Sequence, residues 1–195
     1  QYLGYPILNN HPTPKDYQYI IENMQRKLSS WKANFLNTTG RTTLVSSTLN
    51  AIPGHAMHYT LLPNKILKQI DRMQRNFISG STSESKKIHY ISWNNITRPK
   101  EEGGLGITTA KNKNLTSLTN LAWKLLTNTN APLSRTLIQK YATNTPQKYN
   151  SFVWKSILKG WSICSKCITW NPCKNSKLNI WTTNWIPNCT SLRQL

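Results

Sequence analysis

Four basic residues in one segment have the type and spacing needed to hold phosphate groups: Lys65, Lys68, Arg72 and Arg75. On a helix, residues three, four or seven positions apart lie on the same side, so at least three of these charges share one face. Cations on one face can neutralise several phosphates of a nucleic acid backbone. The same pattern also fits the solvated polar face of an ordinary amphipathic helix, and the sequence leaves both interpretations open.

Four other basic residues are candidates for phosphate contact: Lys32, Arg41, Lys86 and Lys87. Arg41 follows Gly40 at an expected helix start, where backbone N–H groups and a guanidinium can hold one phosphate together. Its alternative role is a structural cap or a loop contact. Lys32 either contacts the backbone of a nucleic acid duplex or only flanks Trp31, which we expect in the core. Lys86 and Lys87, in a Ser-rich loop, either reach a backbone or keep the loop solvated.

The acidic residues are too few and too dispersed for most catalysis. The chain has 25 Lys and Arg against six Asp and Glu, a net charge of +19, and no acid follows Glu102. Two-metal phosphoryl transfer needs clustered carboxylates, and none are clustered here. Asp16 and Asp71 are the only aspartates, and no Ser–His–Asp set can be built on them. A surface of one sign is tolerated when a polyanion neutralises it, so the composition predicts a nucleic-acid-binding protein.

Four cysteines in the last part of the chain raise the question of a metal. Cys164 and Cys167 form a CxxC pair, and Cys173 and Cys189 follow. Four thiolates can hold zinc tetrahedrally, but the second pair lacks CxxC spacing. We therefore expect no metal, with zinc at these four positions as the alternative.

Hydrophobic periodicity predicts a mainly helical chain. A first helix starts at Thr13 and Pro14, keeps its apolar spacing through Phe35 and ends at Gly40. The further predicted helices cover residues 41–52, 63–78, 110–127, 133–141 and 152–158, whereas 55–62 is ambiguous. Residues 88–93 are expected to be a short strand, and 161–195 a few short strands. The glycines at 103, 104 and 106 are expected in a turn, because the helix and strand context of a phosphate-binding loop is missing.

Nine segments, in this order, resemble the region that follows the polymerase core in plant LINE-type (non-LTR) retrotransposon reverse transcriptases. The stronger ones are YLGYPI (2–7), KLSSWKA (27–33), GRTTL (40–44), IDRMQRNFI (70–78), ISW (91–93), PKEEGGLG (99–106) and LAWKLL (121–126). VWKSILKG (153–160) and IWTTNW (180–185) are weaker. The chain departs from the family at Ser79, where Trp is usual, and at 171–177, where a Gly-Asp-Gly-like turn is usual.

The resemblance implies a thumb region and its C-terminal extension. In such enzymes a palm upstream carries a Tyr-x-Asp-Asp motif and the aspartates that bind Mg²⁺. No Asp-Asp pair occurs here, so no catalytic residue and no cofactor are expected in this segment. By analogy the thumb holds the template–primer duplex through its backbone, and the expected partners are RNA, an RNA–DNA duplex and the palm.

The expected fold class is mainly α, a thumb-like helical bundle with a small C-terminal α+β or irregular extension. Its predicted parts are a helical thumb (1–80), a loop and short-strand connector (81–108), a helical extension (109–160) and a short-strand tail (161–195).

Two other functions remain open. One is a retroelement-derived protein that the host has adopted as an RNA-binding component of a ribonucleoprotein. The other is a C-terminal tail that folds around zinc and mediates contact with another protein. The chain starts at Gln1 without a secretory leader, so we expect a segment of a longer intracellular protein, nuclear or ribonucleoprotein-associated. No apolar run is long enough to suggest a membrane partner.

Overall fold

A chain of short and medium helices forms because apolar residues recur every three or four positions. A computed structural model describes residues 12–31, 35–81, 90–141 and 151–169, and within these ranges it contains no strand. The α-helices of these ranges are α1 (Gln18–Ser30), α2 (Thr38–Leu44), α3 (Gly54–Tyr59), α4 (Asn64–Ser79), α5 (Trp93–Ile96), α6 (Ala110–Thr127), α7 (Pro132–Tyr141) and α8 (Phe152–Cys167). The mainly α fold class is confirmed. Every helix in the described ranges is too short or too polar to cross a lipid bilayer.

Short polar side chains set the starts of several helices. Each accepts a hydrogen bond from a backbone N–H of the first turn, which would otherwise lack a partner. These caps are Asn37 for α2, Ser92 for α5, Thr109 for α6 and Ser151 for α8. Helix α4 ends at Gly80, whose φ of 72° lies in the left-handed region that favours glycine.

The main core lies between α1, α3, α4 and the π-helical turn Val45–Leu49 that continues α2. Its fully buried side chains include Tyr17, Met24, Leu49, Met57 and Ile70. The apolar residues of α4 predicted from periodicity face this core, since Ile66, Leu67, Ile70, Phe77 and Ile78 are all buried.

A second, smaller core joins the later helices. Ala122 and Leu125 of α6 and Ile157 of α8 are buried there, and Leu137, Val153 and Trp161 pack against them. Helix α6 contributes to both cores, because Ala110 at its start belongs to the first. The helices are therefore held around α6.

The buried amide of Asn114 connects α6 to the segment between α3 and α4. Its Nδ2 donates to the carbonyl oxygens of Met57 (3.0 Å) and Thr60 (2.9 Å), and its Oδ1 accepts from the Leu62 N–H at 2.9 Å. Ser156 of α8 adds a bond, because its hydroxyl accepts from the Leu61 N–H at 3.0 Å. The backbone of this connector can lie in the core because its polar groups find these partners.

The boundary predicted for the first helix is wrong. Helix α1 ends at Ser30, Trp31 has extended backbone angles, and the Phe35 side chain is 84% exposed instead of packed in the core. Gly40 lies inside α2 and does not end a helix. The physical reason is Asn37, whose side chain accepts from the Gly40 N–H at 2.8 Å and starts a new helix.

The end predicted for α8 is also wrong. The helix continues past residue 158 to Cys167, so residues 161–167 are helical and not part of a strand. Gly160 does not break it, because it serves as a contact point. A Cβ there would lie 2.5 Å from the carbonyl oxygen of Leu118, so only glycine lets α8 approach α6 this closely. The rest of the predicted tail, 170–195, lies outside the described residues.

Two other segments are helical where the sequence analysis predicts a strand or leaves the assignment open. The ambiguous stretch after residue 54 contains α3. The expected strand at 88–93 is contradicted at Trp93, which begins α5 and is capped by Ser92, whereas residues 88 and 89 lie outside the described ranges.

We expect Asn114→Ala to lower the free energy of unfolding by about 3 kcal/mol, because one buried N–H and two carbonyls lose their partner. Urea unfolding followed by circular dichroism measures this. Asn112→Ala is the matched control, since Asn112 lies in the same helix with an exposed side chain. Equal effects of the two substitutions would contradict a special role for Asn114.

We expect Gly160→Ala to destabilise the protein by roughly 1–3 kcal/mol, because the added methyl group forces α6 and α8 apart. The control is Gly54→Ala in α3, where a Cβ would meet no atom within 4 Å. That variant should be neutral or up to about 1 kcal/mol more stable. Thermal melts of both variants decide the point, and an unchanged melt for Gly160→Ala contradicts the close contact.

Candidate nucleic-acid interface

The four predicted cations of α4 lie along one side of the helix, which we call the basic stripe (Lys65, Lys68, Arg72 and Arg75). The first three are exposed and Arg75 is half-buried. The opposite side of α4 is packed in the main core, so the stripe is displayed by a helix that cannot rotate. At 1.5 Å rise per residue, the stripe is about 15 Å long.

A groove of about 180 Å³ lies beside the stripe, lined by Lys68, Asp71, Arg72, Arg75 and Trp93. It brings three of the predicted cations together with two residues that sequence reasoning did not assign to a site, Asp71 and Trp93. The helical spacing of Asp71 from Lys68 and Arg75 would have placed it on this face. Trp93 comes from α5, and no pattern in the sequence indicates that α5 meets α4.

Asp71 serves the fold and the groove at once. Its Oδ1 accepts from the backbone N–H of Ala110, the first residue of α6, at 2.9 Å. Partial burial raises the pKa of Asp71 above its ordinary value, and the bond from Ala110 opposes this shift. The carboxylate forms no ion pair with any described residue, although three cations share the groove with it.

Two donors at the groove lack acceptors among the described residues. The Nε of Arg75 and the Nε1 of Trp93 are both buried and make no hydrogen bond there. A buried donor without a partner costs about 1–3 kcal/mol. Both N–H groups are therefore shielded from solvent.

Arg41 contacts the far end of α4. Its guanidinium lies so close to Gly80 that a Cβ at that position would be 2.0 Å from Nη1. Cations are favoured at a helix C-terminus, where the backbone carbonyls make the local potential negative. This contact fits the structural-cap alternative for Arg41, and its contact with phosphate stays a prediction.

Three of the other predicted contacts, Lys32, Lys86 and Lys87, lie outside the described residues. The glycine turn is inside them and matches the expectation. The backbone N–H groups of residues 103 to 106 all donate to carbonyl oxygens of residues 96 to 100. They are therefore not available to a phosphate.

Two of the four cysteines lie in the described ranges, at the end of α8. Cys164 is buried and Cys167 is exposed, and both are free thiols. Burial, and then the neighbouring Cys167, raise the pKa of Cys164. No group of three or more His, Cys, Asp or Glu side chains that could hold a metal occurs in the described part of the chain. Cys173 and Cys189 lie outside it.

Positive charge continues beyond α4 onto the later helices. Helices α6, α7 and α8 contain no acid, and most of their cations are exposed: Lys111, Lys124, Arg135, Lys140, Lys155, Lys159 and Lys166. Lys113 differs, because it is half-buried and donates to the carbonyl oxygen of Asn50. Its burial lowers the pKa of Lys113. This half of the structure therefore presents a field of one sign.

Two proteins of Arabidopsis thaliana are similar to this chain. One is named "Putative ribonuclease H protein" and is 32% identical over 190 residues, which cover 93% of this chain and 31% of that protein. The other is named "Uncharacterized mitochondrial protein" and is 24% identical over 152 residues, which cover 74% of this chain and 99% of that protein. The chain thus spans about a third of the first relative and nearly all of the second. No protein-family model and no solved structure matches it.

We expect iodoacetamide to modify Cys167 faster than Cys164, by on the order of tenfold, because burial hides Cys164 and the raised pKa reduces its thiolate fraction. Mass spectrometry of timed digests measures both rates. Similar rates would contradict the burial of Cys164. Modification of Cys167 that speeds up after a chelator is added would instead support the zinc alternative.

Proposed function

We propose that this chain is the thumb segment of a non-LTR retrotransposon reverse transcriptase and holds the template–primer duplex by its backbone. The single observation that supports this most is the basic stripe on α4, whose opposite side is fixed in the core. The helix fixes the backbone positions of these cations before any ligand arrives, so only side-chain freedom is lost when they meet phosphates. The order of the family-like segments supports the assignment to a thumb.

Contacts of this kind give binding that ignores base sequence. Phosphates carry no base information, so the stripe positions a duplex without choosing one. This suits a polymerase, which must hold every sequence that it copies. The acid-free helices α6 to α8 would add to the attraction over a longer range.

The polymerase reaction itself would belong to other parts of the parent protein. The described residues offer no cluster of carboxylates, so the Mg²⁺ ions would be held by a palm outside this chain. The relative whose name describes a ribonuclease H protein is about three times longer than the matched region, which leaves room for further domains in that protein.

A second candidate is an RNA-binding component of a ribonucleoprotein. It is favoured by the mitochondrial relative, because the match covers 99% of that protein. A region like this one therefore exists there as nearly an entire chain. The coding sequence upstream of residue 1 separates the candidates: a Tyr-x-Asp-Asp palm supports the polymerase, and a start codon with a targeting leader supports the ribonucleoprotein component.

The proposal is tested by the salt dependence of duplex binding. We compare the unmodified chain with a variant in which Lys65, Lys68 and Arg72 are each replaced by Gln. Fluorescence anisotropy measures the affinity of both for an RNA–DNA duplex. If each cation neutralises one phosphate, the slope of log K against log salt becomes shallower by about 2.7, and affinity at low salt falls roughly a hundredfold.

In the control variant, Lys124, Arg135 and Lys155 are each replaced by Gln. These three residues are exposed and carry the same total charge as the three of the basic stripe. Its slope should change by less than one. Equal losses in the two variants would mean that total charge, and not the basic stripe, drives binding. A slope near zero for the unmodified chain would remove the electrostatic basis of the proposal.

A further inference from the structure

We propose that the groove beside the basic stripe binds one ribose-phosphate unit of RNA and that Asp71 recognises its 2′-hydroxyl. This rests on the proposed function and names the strand chemistry that the site prefers. The phosphate would lie against Lys68 and Arg72, and the sugar between Asp71 and the indole of Trp93, since all four line the groove.

One oxygen of Asp71 is available for this contact. Oδ1 is committed to the N–H of Ala110, whereas Oδ2 has no partner among the described residues. Oδ2 is not fully buried, although Asp71 as a residue is half-buried. The second oxygen is therefore accessible from the groove.

A carboxylate is the wrong group for a site that binds only phosphate. It repels the anion that its three neighbouring cations attract, so it lowers the affinity for a plain phosphate. An ionised carboxylate accepts hydrogen bonds and cannot donate them. The ligand that suits this mixed groove carries an anion and, next to it, a hydroxyl donor. Among nucleic acids that description fits ribose and excludes deoxyribose.

The dimensions of the groove agree with a single unit of backbone. Its volume of about 180 Å³ is small and open to solvent, so it would take one group of a backbone and not a base pair. Trp93 also lines the groove, and an aromatic ring suits the apolar face of a sugar. The wall of α4 supplies the charges.

The competing explanation is that Asp71 only caps the start of α6. Asp71→Asn separates the two roles, because the amide oxygen can still accept from Ala110 while the group facing the groove becomes an N–H₂ donor. A purely structural Asp71 would leave strand preference unchanged in this variant. Urea unfolding and circular dichroism establish that the variant is folded.

The experiment measures the affinity of the full chain for three duplexes at one salt concentration. All three have the same sequence: unmodified RNA, RNA with one strand 2′-O-methylated, and DNA. The 2′-O-methyl duplex is the informative probe, since it keeps the RNA helix shape and replaces the hydroxyl donor by a methyl ether, whose oxygen can only accept. We expect RNA to bind about tenfold more tightly than the 2′-O-methyl duplex, because a hydrogen bond to a charged group is lost. In Asp71→Asn this ratio should fall to about one.

Glu22→Gln is the matched control, because Glu22 is an exposed acid of α1 and its loss changes the net charge equally. This variant should bind all duplexes slightly more tightly and keep the tenfold ratio. A ratio near one in the unmodified chain, or a ratio that survives in Asp71→Asn, overturns the assignment of Asp71. Loss of salt-dependent binding to every duplex would instead overturn the proposed function.

Discussion

The geometry of the protein depends on one buried amide. Asn114 is fully buried and makes three hydrogen bonds to the backbone that leads from α3 into α4. An amide can give and accept hydrogen bonds in one plane, so it replaces the water that this backbone would otherwise need. The connector then turns at Pro63 into α4. The direction of α4, and with it the basic stripe, is therefore set by a side chain of α6.

Asp71 provides a second link between the same two helices. It lies on α4 and binds the first N–H of α6, so α4 is attached to α6 both before its start and in its middle. The residue that aligns these helices is also the one that places a negative group in a basic groove. A substitution that tests the proposed contact with a ligand must therefore preserve the hydrogen bond to Ala110.

Local sequence patterns predicted much of the fold. The apolar spacing of α4 predicted its buried face, and the same reasoning placed α6 and the glycine turn at 103–106. The failures came where a nearby interaction outweighed the pattern. The Asn37 cap starts α2 before Gly40 can end a helix. The predicted end of α8 at residue 158 was wrong for a different reason, because Gly160 contacts Leu118, 42 positions earlier in the chain.

The candidate site was less accessible to sequence reasoning than the fold. The stripe follows from helical spacing alone, because all four cations belong to one helix. The groove does not, since Trp93 is brought to α4 by packing between segments that are distant along the chain. Likewise, Arg41 was singled out for its position after Gly40, whereas its contact with Gly80 depends on how α2 meets α4.

The acid-free character of α6, α7 and α8 has a consequence for the stability of the protein. Like charges on neighbouring helices repel, and these three helices contain no carboxylate of their own to relieve that repulsion. Under the proposed function, a polyphosphate bound to the folded chain would relieve it. Binding and folding would then be thermodynamically linked, so that the ligand would supply the counter-charge that these helices lack and raise the melting temperature of the second core.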